Sequence, residues 1–289
     1  MRPHRAIRHR ELGVLHVSGT PVVVKLGGTT IIEQQDVLRE IVEERRERPV
    51  VIVHGGGKRL TDWLERLGVE SQWDSGRRVT DDATLEVFLA VISGVINAEL
   101  TEALLGLGAE AVGLRGIDRG MIRGPRADGL DRVISEPMAD AAVLLTLLDA
   151  GYLPVLSPMG LDPEGRICNV NADDAAAAVS AALGGELVLM TDTDGVRDAT
   201  GERIVELTPS AAAQLIEDGV IAGGMLPKVH SALRAIGPGS RAERSVIADG
   251  RSTDALRRAL HEGAGTGFRI GQLGRSRLDA EGPLGQSRR

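Results

Sequence analysis

Short apolar runs alternate along the chain with stretches in which apolar residues recur at helical spacing. PVVVKLGG (21–28) and PVVIVHGGG (49–57) each end in a glycine cluster and read as buried strands feeding loops. AEAVGLRG (109–116), ELVLMTD (186–192) and ERSVIADG (243–250) read as further strands, and YLPVLSPMG (152–160) is another apolar run. Helices are expected over 33–47, where Val37, Ile41 and Val42 stand among charges, and again around Leu60, Leu64 and Leu67. The longest covers 82–106, with Leu85, Phe88, Ile92, Val95, Leu100 and Leu104 on one buried stripe. Others are expected over 138–150, 173–183, 209–217, 225–236 and 252–260. The alanine-rich 173–183 segment suits close packing against a sheet. Residues 69–80 are turn-rich, and 118–136 are polar and without a period.

Strands alternating with helices predict an α/β fold, a three-layer αβα sandwich around a mainly parallel sheet. No linker divides the chain, so one compact unit with two lobes is expected, their boundary near 165–185. Residues 1–20, rich in arginine and histidine, read as an N-terminal arm, and 271–289, rich in glycine and arginine, as a disordered tail.

Composition narrows the function classes. The 289 residues are 42% hydrophobic, enough for a sizeable core. One cysteine, Cys168, permits neither an intrachain disulfide nor a cysteine-rich zinc site. A net charge of −7 argues against nonspecific nucleic-acid binding, and two Trp, one Tyr and two Phe leave few stacking platforms. No 18-residue run reads as a membrane span, and no signal peptide is evident. A soluble cytoplasmic protein is expected. The basic residues carry a sharper signal: of 34, only Lys25, Lys58 and Lys228 are lysines.

Two of those lysines sit where chemistry would want them. Lys25 lies in an apolar strand just before Gly27–Gly28, where a charge is costly unless it meets solvent or an anion. Lys228 follows GGMLP in the first turn of a helix, where a cation opposes the dipole unless an anion is near. Each is also compatible with a solvated lysine, and Lys58 could simply decorate a helix. The glycine clusters 27–28 and 55–57 are either tight turns or loops that bring backbone N–H groups to an anion. Neither is a dinucleotide fingerprint or a Walker A loop, since Lys58 is followed by Arg59. Asn169, Asn171 and Asp173 precede the alanine-rich helix as caps or as ligands, with Asp173 able to orient a lysine. TDTDGV (191–196) is a plain turn or an adenine- or ribose-side loop, and Arg77–Arg78 are either a carboxylate clamp or an exposed ion pair. His54 reads as a hydrogen-bonded structural histidine rather than a base, and Cys168 lacks the signature of a nucleophile.

These segments resemble the acetylglutamate kinases of the amino acid kinase family. VVVKLGG (22–28), VIVHGGG (51–57), GRRVTDDATLEVF (76–88), AVGLRGID (111–118), GYLPVLSPMG (151–160), NVNADDAAAAVSAALG (169–184), LVLMTDTDGV (187–196), GGMLPKV (223–229) and GAGT (263–266) occur in order across residues 21–270. The resemblance implies ATP-dependent phosphorylation of the side-chain carboxylate of N-acetylglutamate, in arginine biosynthesis, with Mg²⁺ on the nucleotide phosphates and no metal site of the protein's own. It implies a substrate-binding and dimerisation lobe over 21–168, an ATP-binding lobe over 169–270, and a homodimer or higher oligomer. Lys25 and Lys228 would stabilise the transferring phosphoryl group, with Asp173 organising both. Gly56, Gly57, Arg78 and Asn169 would hold the acceptor. Gly28, Thr191, Asp192, Gly195, Gly223 and Gly224 would flank ATP.

Arg77 departs from the family, which usually has an apolar residue before the substrate arginine. That departure, with EVF in the next helix, keeps open a related kinase acting on aminoadipate or glutamate held on a small acidic carrier protein. A catalytically inactive, ligand-sensing member of the fold is a further alternative, against which the retained lysines and Asp173 argue.

Overall fold

The computed structural model describes residues 19–27, 35–74 and 77–270. The tail at 271–289, Gly28 and nearly all of the expected arm lie outside the described residues.

Eight strands build one sheet in the order Glu206–Leu207, Thr266–Arg269, Arg244–Asp249, Glu186–Thr191, Val22–Leu26, Val50–His54, Leu153–Ser157, Ala111–Arg115. Every neighbouring pair is parallel except Arg244–Asp249 with Thr266–Arg269. Side chains on a strand alternate between faces, and here both faces are buried. Val22, Val24 and Leu26 enter one core with Val50 and Ile52. Val23, Val51 and Val53 enter the other, against the alanines of the Ala172–Leu183 helix. That is the expected three-layer sandwich. Val22–Leu26 lies at its middle, pairing with Val50–His54 on one side and Glu186–Thr191 on the other, so both halves of the chain share one sheet.

Several elements differ from the sequence reading. The helix expected over 138–150 begins only at Ala142, because Met138–Ala139 is a strand. It belongs to a small second sheet with Val133–Ile134, Ile167–Val170, Met159–Leu161 and Ile122–Arg123. Most of these strands are two residues long, too short to show a period. On the Gly57–Leu67 helix, Leu60 and Leu64 are buried but Leu67 is exposed. The mixed 69–80 stretch holds a hairpin, with Trp73–Asp74 antiparallel to Arg77–Arg78.

The long helix runs from Asp82 to Gly106 but is π-helical over Leu89–Ile96, where the Asn97 N–H reaches back to the Ile92 carbonyl. A wider turn spaces the buried stripe by four residues, so Phe88, Ile92, Ile96, Leu100 and Leu104 face the core. Val95 is only half-buried, and Ile96 takes its expected place. Contrary to the sequence reading, this helix is long and apolar enough, by length and composition alone, to cross a membrane. Its buried stripe instead packs into the core of the sandwich.

Candidate active site

The parallel strands deliver their carboxyl ends to one cleft, where open α/β sheets commonly bind ligands. Val22–Leu26 brings Lys25, Val50–His54 leads into Gly55–Gly57, and the Ala172–Leu183 helix presents Asp173 in its first turn. The cleft has a volume of about 290 Å³ and is lined by Lys25, Gly56, Gly57, Arg78, Asn169, Asp173 and Lys228, among others. Those seven expected site residues, separated by up to 203 positions (25 to 228), meet in one place.

Asp173 is the centre of its charge pattern. Lys25 Nζ lies 2.8 Å from its Oδ1 and Lys228 Nζ 3.8 Å from its Oδ2. Burial by itself would raise the Asp173 carboxyl, but the two ammonium groups, Lys25 foremost, hold it below the ordinary carboxylate range. The carboxylate therefore stays charged and fixes both lysines. Asn171 caps the helix, its Oδ1 accepting from the N–H groups of Asp173 and Asp174 at 2.8 and 3.4 Å. Gly27 supplies the room that Lys25 needs, since a Cβ there would sit 2.0 Å from Nζ. The sequence reading names Gly27 only as part of the 27–28 cluster; its steric role toward Lys25 comes from the structure.

Arg78 is buried on the opposite wall. Its Nη2 donates to Thr61 Oγ1 at 2.7 Å, its Nη1 to Ser71 Oγ, and its guanidinium lies 4.4 Å from the centre of the Trp73 ring. Burial lowers its pKa, although an arginine stays charged at any ordinary pH. Two hydroxyls and an indole orient this cation, and among the described residues no carboxylate pairs with it, which suits capture of a carboxylate. Asn169 Nδ2 donates to Thr80 Oγ1 at 3.1 Å, leaving its carbonyl end as an acceptor. Gly56 has φ 147° and lies against the long helix, where a Cβ would meet Ile96 Cδ1 at 2.3 Å. Only glycine suits that position. Among the described residues, four cations (Lys25, Arg77, Arg78 and Lys228) and one carboxylate, Asp173, line the cleft. The site is therefore built for anions.

His54 has the structural role expected of it. It is fully buried, and burial depresses its pKa to about 4 despite the Gly55 carbonyl. Its Nδ1 lies 3.0 Å from Gly55 O, and its Nε2 lies 3.0 Å from Asn97 Nδ2. The Asn97 amide donates, so Nε2 accepts and Nδ1 carries the proton. Cys168 is buried with its thiol pushed up by burial, which removes it as a nucleophile. Lys58 is exposed and does not line the cleft.

Thr191, Asp192, Gly195, Gly223 and Gly224 do not line this cleft. Thr191 ends its strand with Oγ1 3.1 Å from Asp192 Oδ1. Gly195, at φ 135°, lies against Thr266 Oγ1, which would be 2.5 Å from a Cβ, and that hydroxyl accepts from the Val196 N–H. Packing by itself already calls for glycine at position 195. Gly223 and Gly224 precede the Met225–Ala235 helix, and a Cβ at either would enter open space. Arg77 takes the ion-pair alternative rather than the clamp, half-buried instead of exposed: its Nη2 donates to Asp174 Oδ2 at 3.1 Å.

The sequence of residues 20–247 matches the model of the amino acid kinase family. The chain belongs to that family. An acetylglutamate kinase of Jannaschia sp. (strain CCS1) is 39% identical over 256 residues, which span 86% of this chain and 89% of that one. An acetylglutamate kinase of Rubrobacter xylanophilus is 41% identical over 256 residues, spanning 87% and 96%. The crystal structure of smu.665 from Streptococcus mutans UA159 has the same fold, with a TM-score of 0.73 and 25% identity. It covers 87% of this chain and 99% of that one.

Proposed function

We propose that this family member transfers the γ-phosphoryl group of ATP to the side-chain carboxylate of N-acetyl-L-glutamate, giving ADP and an acyl phosphate. The observation that carries this reading is the pair of lysines held on the single carboxylate of Asp173, within one cleft with Arg78. The acetylglutamate kinases among its relatives support the choice of acceptor.

Phosphoryl transfer needs alignment and cancellation of charge more than covalent help from the protein. In this reading Arg78 holds the α-carboxylate and Asn169 the acetylamino end of the acceptor, with Gly56 and Gly57 offering backbone close by. The acceptor's side-chain carboxylate is already ionised at neutral pH, so no general base is needed. His54, neutral and buried, takes no proton. Lys25 and Lys228 neutralise charge gathering on the transferring group and the leaving oxygen, and Asp173 keeps them in place. Residues 21–168 would seat the acceptor and 169–270 the nucleotide, through Thr191, Asp192, Gly195, Gly223 and Gly224. Among the described residues no three His, Cys, Asp or Glu side chains gather as a metal site. In this reading Mg²⁺ enters as part of the nucleotide substrate, on its phosphates.

The test is ADP release under Mg·ATP with free N-acetylglutamate, free N-acetylaminoadipate and carrier-linked glutamate or aminoadipate as acceptors. Turnover with free acetylglutamate, well above the others, is expected. Preference for a carrier-linked acceptor, or no release with any, would overturn the assignment.

A further inference from the structure

Asp174 is unaccounted for by the chemistry above, yet it is at least as buried as Asp173. Its two oxygens face different elements. Oδ1 lies 2.8 Å from the Ser231 hydroxyl on the Met225–Ala235 helix, one turn beyond Lys228. Oδ2 accepts from Arg77, the residue adjoining Arg78 on the hairpin strand. Ser231 Oγ is also 3.0 Å from the carbonyl of Pro227, the residue before Lys228. A continuous polar path therefore runs from the Arg78 strand, through the start of the Ala172–Leu183 helix, to the turn that bears Lys228.

Such a path is a poor choice if stability were its only purpose. Burial raises the Asp174 carboxyl; Ser231, Arg234 and Arg77 oppose that rise, and the neighbouring Asp173 charge adds to it. Apolar side chains of similar volume often serve at least as well as a buried ion pair. What they lack is direction. A carboxylate gripped on two sides fixes the distance between the hairpin and the lysine helix, and it passes a shift of one to the other.

We propose that Arg77, Asp174 and Ser231 form a positioning bridge, through which seating of the acceptor's carboxylate on the Arg78 hairpin sets Lys228 for phosphoryl transfer. The bridge rests on the acetylglutamate reading above. The three are positioning residues, acting through Arg78 and Lys228. The consequence is thermodynamic coupling: acceptor and nucleotide each bind more tightly when the other is present, by one and the same factor.

The test measures acetylglutamate affinity by calorimetry, with and without the β,γ-imido analogue of ATP and Mg²⁺. In the wild type the analogue should tighten acetylglutamate binding by about tenfold, within the usual span of such couplings. Asp174→Asn and Ser231→Ala should bring that factor near one, while affinity for either ligand alone changes by about twofold or less. Ser231→Ala removes one hydroxyl, and thermal melts will show that it folds. Arg77→Gln combined with Ser231→Ala should lose no more coupling than either change alone, because the two act in series. Variants that keep the wild-type factor would overturn the bridge, as would a wild type that turns acetylglutamate over with no coupling. A wild type that neither binds nor phosphorylates acetylglutamate would instead remove the reading beneath it.

Discussion

The ammonium of Lys25 lies 2.8 Å from one oxygen of Asp173, and that carboxylate has almost no contact with solvent. Lys228 approaches the other oxygen from a different element, at 3.8 Å and with more solvent around it. The two lysines therefore share an anchor but not an environment. Replacing either by alanine should lower kcat by about 10²-fold or more, the usual cost of losing a preorganised electrostatic contact. The stability effects should differ. Lys25→Ala strips a buried carboxylate of its nearer partner, a loss on the order of 3–5 kcal/mol, whereas Lys228→Ala should shift Tm less. Steady-state kinetics and thermal melts on both variants check this, and a Lys25→Ala enzyme with wild-type turnover would refute the role.

Gly27 offers a gentler perturbation of the same group. A methyl at this position would occupy the space of the Lys25 ammonium. Gly27→Ala should therefore push the lysine away from Asp173 and reduce kcat by about tenfold or more, as misplacement of a catalytic group does. Its KM for acetylglutamate should stay near the wild-type value. An unchanged kcat would show that Nζ finds another productive position.

Arg78 should govern the acceptor. A charge-assisted hydrogen bond contributes about 1.5–3 kcal/mol, so Arg78→Ala should raise KM for acetylglutamate by roughly 10- to 150-fold with little effect on KM for ATP. Arg78→Lys should rescue little, because a single ammonium cannot reproduce the fork held by Thr61 and Ser71. Full recovery by lysine would mean that a point charge suffices.

His54 makes a prediction about pH and stability. Its folded pKa is about 4, against 6.5 for the free side chain. Below pH 6.5 the unfolded chain takes up a proton that the folded protein refuses, so stability is fully present above 6.5 and falls as pH drops toward 4. The buried ring's share of that loss is about 3 kcal/mol at most. His54→Gln should flatten the stability curve between pH 6.5 and 4, measured by denaturant unfolding at several pH values. Parallel curves for wild type and variant would contradict it. The same assignment predicts no histidine-like step from His54 in the pH profile of kcat.

Local pattern and residue scarcity made much of this legible in the sequence. Five adjacent strands, from Arg244–Asp249 across to Leu153–Ser157, announce themselves as apolar runs because strands covered on both faces have no polar side to show. Lys25, Lys228 and Asp173 stood out because lysine is rare here and a charge beside a glycine loop asks for a partner. Relationships across the chain were not legible. Arg77 could not be told between a clamp and an ion pair, because its partner Asp174 lies 97 residues away and nothing local marks the pair. Asn97, which holds His54, follows directly on the π-helical stretch that also moved the buried stripe from Val95 to Ile96. The small second sheet escaped because two-residue strands such as Ile122–Arg123 carry no period.

The central claim is that the cleft makes an acyl phosphate on the acceptor's own carboxylate. Its most direct test is hydroxylamine trapping of the product, with Mg·ATP and N-acetylglutamate, followed by mass spectrometry. The account predicts the side-chain hydroxamate of N-acetylglutamate, formed in step with ADP and abolished in Lys25→Ala. ADP release without hydroxamate, or hydroxamate formed equally by the Lys25→Ala enzyme, would contradict it.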